Sequence, residues 1–165
     1  MSEARTSLRP AAPMLLMPPL PAPPALQAPA PAPFRALYGW GYLGSEGEGQ
    51  GTLAVLIEAA TGKVVLELHG LGERLVLLTG DAASGYRVQV PRQKLDATAP
   101  TLADLPLPFL PQVGSAEALK ALLTEGRGTG VTVTKRGAQG PLKLHYVGKD
   151  PKGREEQVWL TWKER

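Results

Sequence analysis

From Phe34 onward the chain is a series of short apolar runs, each closed by glycine or proline. Runs of this length bounded by turn residues read as β-strands. They predict strands at Leu37–Leu43, Gly51–Glu58, Lys63–His69, Arg74–Thr79, Tyr86–Val90, Gly130–Lys135, Leu142–Val147 and Gln157–Trp162. Thr61-Gly62, Gly70-Leu71-Gly72, Ser84-Gly85 and Asp150-Pro151-Lys152-Gly153 supply turn chemistry between them. Connections this short pair neighbouring strands antiparallel. One segment changes period. Ala118, Leu119, Leu122 and Leu123 form a helical stripe, with Ser115 as N-cap, Glu117 in the first turn and Gly126 as the stop. Just before it, Leu105-Pro106-Leu107-Pro108-Phe109-Leu110-Pro111 is apolar, but proline bars it from a regular helix or central strand. Such a segment has to lie over an apolar surface. The fold class expected is mainly β (α+β): an antiparallel up-and-down meander with one helix and a Pro-rich lid segment.

The two faces of the strands differ along the chain. Leu53, Val55 and Ile57 point one way, and Ala54 and Leu56 the other. Leu75 and Leu77 likewise oppose Val76 and Leu78. A strand with one wet face alternates cleanly, and these do not. Thr132, Thr134, Lys143 and Gln157 give the later strands a polar side. The early half of the sheet is therefore expected to need cover on both faces. The helix and the Pro-rich segment can supply it, as can an apolar ligand in a partly open barrel or a simply filled core.

Composition adds a boundary. Ten of the 17 prolines fall between Pro10 and Pro33. Residues 1–33 read as an extended, polyproline-like leader, and 34–165 as a single β-rich domain. Arg5, Arg9 and Met14-Leu15-Leu16-Met17 also allow a degenerate export signal, interrupted by Pro18 and Pro19. No stretch approaches the roughly 18 apolar residues of a spanning helix. The absence of cysteine excludes disulfides, thiolate metal sites and a cysteine nucleophile. The net charge of +3 is uneven, with nine basic and four acidic residues from Arg127 to Arg165.

Catalytic chemistry is sparse. His69 and His145 are the only histidines, each on a strand without a carboxylate-rich motif. Glu46 and Glu48 sit in a glycine loop that fixes no geometry, and Gly126–Gly130 reads as a helix-to-strand turn. No enzymatic activity, catalytic residue, metal or cofactor is expected. Lys135, Arg136, Lys143, Lys149, Lys152 and Arg154, with Tyr146, Trp159 and Trp162, offer basic and stacking groups for nucleic acid. Tyr146 and Trp162 fall in register with Leu144 and Leu160, however, and most of the charges sit at turns, where lysine guards sheet edges. Nucleic acid is the third reading.

Several pieces, in order, resemble the LolA/LolB-like family of bacterial lipoprotein carriers and outer-membrane lipoprotein receptors. Gly51-Thr52-Leu53-Ala54-Val55 looks like an early strand of that family, and Leu66-Glu67-Leu68-His69-Gly70-Leu71-Gly72 is similar to its strand-to-turn element. Leu105-Pro106-Leu107-Pro108 with the Ala118–Leu123 helix resembles its lid. Pro141-Leu142-Lys143-Leu144 and Val158-Trp159-Leu160-Thr161-Trp162 resemble its last strands. The resemblance implies a half-barrel of about eight strands whose apolar concave side holds the acyl chains of a lipid or lipoprotein. Localisation would be the periplasm or cell envelope, with the cytoplasm as alternative. The cavity expected is lined by Leu53, Val55, Leu56, Leu66, Val76 and Leu78 from the strands. Leu105, Leu107, Phe109, Leu110, Leu119 and Leu122 complete it from the lid. Leu71 occupies the position of a membrane-touching leucine. The receptor branch carries a lipid-anchored N-terminal cysteine and more lid helix than this chain shows. The expectation is a monomer that binds acyl chains, with an interaction module of filled core as the alternative.

Overall fold

The computed structural model describes residues 32–70 and 72–164. Among them nine antiparallel strands form one open sheet. The strands are β1 (Phe34–Gly44), β2 (Gly47–Glu58), β3 (Lys63–Gly70), β4 (Glu73–Asp81), β5 (Gly85–Val90), β6 (Leu95–Ala99), β7 (Val131–Gly137), β8 (Gly140–Lys149) and β9 (Glu155–Glu164). Their order is β6-β5-β4-β3-β2-β1-β9-β8-β7, so the last meander closes back onto the first strand. The sheet does not close on itself, and β6 and β7 are its edges. This is the mainly β, half-barrel-like meander expected, with one more strand. The one α-helix among the described residues, α1 (Ala116–Glu125), and the irregular segment before it cover one face.

The additional strand is β6, Leu95-Asp96-Ala97-Thr98-Ala99, which lacks the apolar content that marks a strand locally. Its pairing with β5 carries it, assisted by Arg87, which reaches diagonally to Asp96 with two hydrogen bonds of 2.8 and 2.6 Å.

Alternation selects an inner, covered face. Tyr38, Trp40 and Tyr42 of β1, Leu53, Val55 and Ile57 of β2, and Val64, Leu66 and Leu68 of β3 are all buried there. The apparent two-sidedness of β4 has a local cause. Leu68 pairs with Val76, but His69 pairs with Arg74, which leaves Leu75 as an extra residue. This bulge turns Leu75 and Val76 inward together, both fully buried. Among the described residues nothing covers the outer face. Leu37, Ala54, Leu56 and Val65 line a shallow groove of about 510 Å³ there, so the expected cover on both faces is not found among them.

The helix ends as its sequence dictates. The Ala118 amide donates to the Ser115 hydroxyl at 3.0 Å, and Gly126 takes the left-handed conformation with φ of 73°. Leu119, Leu122 and Leu123 face the sheet.

Candidate functional site

The inner face of the sheet and the segment laid over it are the candidate site. Leu53, Val55, Leu66, Val76 and Leu78 come from β2, β3 and β4. Leu105, Leu107, Phe109 and Leu110 come from the Pro-rich segment, and Leu119 and Leu122 from α1. All eleven are buried in one cluster, so the chain's own lid occupies the position anticipated for ligand. Leu56 does not join them. It pairs with Arg35 and Val65 on the outer face, because its neighbours Val55 and Ile57 take the inner positions. Leu71 lies outside the described residues, as do residues 1–31 of the leader.

The lid is anchored at Phe109. Its backbone has φ of +68°, a left-handed conformation unusual for a bulky residue. That conformation aims its carbonyl at Trp40, whose Nε1 donates to it at 2.9 Å. The Phe109 ring packs edge-on against Trp40 and Tyr42, with centroids 6.3 and 5.1 Å away. Trp40 and Tyr42 stack on each other at 5.8 Å. A backbone held in this region costs on the order of 1–3 kcal/mol and persists only where surrounding contacts impose it. Here an aromatic clamp imposes it.

Beside the clamp, Glu156 of β9 points inward and is only 1% exposed. Neither carboxylate oxygen makes a hydrogen bond among the described residues. The carboxyl is straddled by two glycines, Gly148, which pairs with it on β8, and Gly44 at the end of β1. A Cβ at Gly44 would collide with the Tyr42 hydroxyl, and one at Gly148 with the Tyr146 hydroxyl. The two missing side chains thus let both tyrosines lean over the backbone on either side of the acid.

Burial pushes the Glu156 carboxyl up to about 7, and the nearby charge of Asp150 adds to the shift. The Phe109 amide faces the group and works the other way, without reaching normal hydrogen-bond geometry. Burial also raises the Tyr42 and Tyr146 hydroxyls, and Glu156 reinforces both shifts. Asp150 behaves oppositely. Its partial burial would raise it, but the amides of Arg154 and Lys152 and the Ser45 hydroxyl bond to it and hold it below the usual range. An acid raised toward neutrality and one held below the usual carboxylate range therefore lie at the same end of the sheet.

This arrangement can bind apolar matter and titrate near neutrality. Among the described residues no cluster of three or more His, Asp or Glu could hold a metal ion. Eleven of the twelve apolar side chains expected at the site are buried together, whereas Glu156, Trp40 and Tyr42 carry no motif that singles them out in the sequence. The available signal was alternation. Extending the last strand back two residues from Val158 places Glu156 on the core side. No described helix is long and apolar enough to cross a membrane. Compared with family models, curated proteins and solved structures, the chain gives no match.

Proposed function

We propose that this domain is a non-catalytic binding protein that holds the acyl chains of a lipid or lipoprotein between the inner face of its sheet and its lid, and that it works in the bacterial cell envelope. One observation carries the reading. The contact between lid and sheet contains features that a permanently filled core has no need of: a left-handed Phe109 and a buried carboxyl that makes no hydrogen bond among the described residues. Both weaken the closed arrangement relative to an apolar contact of the same area. The lid is also attached to the inner face through side chains and not by strand pairing, so its departure leaves the sheet ladder intact.

The energetics allow exchange. Each buried methylene contributes roughly 0.8 kcal/mol, so an acyl chain can replace the contacts of the lid leucines without any polar recognition. The competing reading is an interaction module with a permanently filled core. It rests on how complete the burial is, with Leu75, Val76 and Leu123 at 0% exposure.

Amide hydrogen exchange separates the two. Palmitic acid is expected to speed exchange in α1 while β1–β4 keep their protection. Unchanged exchange throughout, at a concentration where fatty acid is in excess, would favour the filled core.

A further inference from the structure

On the outer face, opposite the lid, two aromatic rings stand side by side and a third place is empty. Trp159 of β9 pairs with His145 of β8 on one side and with Gly41 of β1 on the other. The His145 and Trp159 rings are parallel, 4.8 Å apart with 10° between their planes, which is the spacing of adjacent strands. His145 is in turn held by Gln157, with 2.9 Å between Nε2 and Oε1. The stack stops at Gly41, where a side chain is missing. Beyond it Gln50 of β2 forms the next wall.

The result is a trough of about 570 Å³. Gly41 and Gly39 form its floor, Trp159, Thr161 and Lys163 one bank, and Gln50 and Thr52 the other. The two banks are two strand spacings apart, roughly 9.6 Å. A ring held between them needs two van der Waals contacts, roughly 7–8 Å, and the slack suits a puckered ring better than a flat one. Trp159 is 38% exposed, and among the described residues the other two exposed large apolar side chains, Leu43 and Val147, lie on the same face beside it. The Lys163 stem crosses the floor at Gly39, where a Cβ would come within 3.0 Å of its Cε.

We infer that this trough is a binding site for an acidic sugar unit of a glycan. The indole face offers a platform for the ring. The hydroxyls of Thr52 and Thr161 and the Gln50 amide can each donate and accept, which suits the hydroxyls of a sugar. Lys163 supplies the one charge in the trough, with no carboxylate in its lining to oppose an anion. Among the described residues Lys163 and its outer-face neighbour Lys143, which pairs with Thr161, form no ion pair. The site is independent of the lid and of the acyl-chain reading.

The test uses the full-length chain, calorimetry and tryptophan fluorescence. The probes are tetragalacturonate, a hyaluronate tetrasaccharide and oligosialic acid, with neutral maltotetraose and the oligonucleotide dT10 for comparison. At least one acidic oligosaccharide is expected to bind and perturb tryptophan emission. Trp159→Ala and Gly41→Val should each weaken it about tenfold or more. A Cβ at Gly41 would meet only Trp159, at 3.6 and 3.7 Å, so Gly41→Val fills the slot without a backbone clash. Lys163→Ala should remove the preference over maltotetraose. The inference is overturned if none of the three acidic probes binds, if Gly41→Val binds them as well as the parent, or if dT10 competes more tightly for the same tryptophan.

Discussion

Trp40 and Phe109, 69 residues apart, are joined by a buried hydrogen bond of 2.9 Å from the indole Nε1 to the Phe109 carbonyl. It is the polar link between the middle of the sheet and the Pro-rich lid. Trp40→Phe keeps most of the aromatic clamp but strands the carbonyl, which costs about 1–3 kcal/mol. Urea unfolding should show that loss, and limited proteolysis should cut first in the lid. An unaltered midpoint and cleavage pattern would mean the bond does not hold the lid down.

The acid beside that clamp gives the domain a pH dependence of definite sign. In the folded state Glu156 keeps its proton to about 7, whereas an unfolded chain releases it near the ordinary glutamate value of 4.5. Between those values the folded protein holds a proton that the unfolded one has lost, so stability falls as pH rises through that window and levels off above it. The full span corresponds to about 3 kcal/mol. Glu156→Gln should flatten the profile between pH 5 and 8 and be the more stable protein at pH 8. Parallel profiles for variant and parent would contradict the assignment.

At the centre of the sheet two glycines permit close approaches. A Cβ at Gly70 would lie 2.8 Å from the Trp40 ring, and one at Gly51 would collide with the His69 carbonyl. Gly51→Ala is therefore expected to force β2 and β3 apart and to cost several times what a solvent-exposed Gly→Ala change does, about 2 kcal/mol or more. Thermal unfolding reads this directly, and an unchanged midpoint would sink it.

Truncating the helix cap acts on the lid alone. Ser115→Ala removes the acceptor of the Ala118 amide and should cost about 1 kcal/mol. Exchange of the first-turn amides of α1 should speed up while the strands are unaffected.

Much of this organisation was legible in the sequence. The eight apolar runs each became a strand, and Ser115 and Gly126 bound the helix as their chemistry requires. β6 was not legible, because Leu-Asp-Ala-Thr-Ala owes its conformation to pairing with β5. The resemblance puts Leu56 in the lining, but strict alternation from Val55 sends it outward. In β4 the reverse happened: alternation failed at a bulge no local signal announces, and Leu75 and Val76 both turned in. Glu156 is hardest to read from sequence, since an acid among Glu155, Gln157 and Lys163 looks like a solvated strand end until Gly44, Gly148 and the lid close over it.

Native mass spectrometry of the full chain with a palmitoylated lipopeptide tests the central claim most directly. The account predicts a one-to-one adduct, strengthened by Leu110→Ala, which thins the lid, and unchanged by Leu56→Glu on the outer face. An unliganded mass for parent and Leu110→Ala alike, at lipopeptide excess, would contradict it and leave a domain whose core is filled by its own lid.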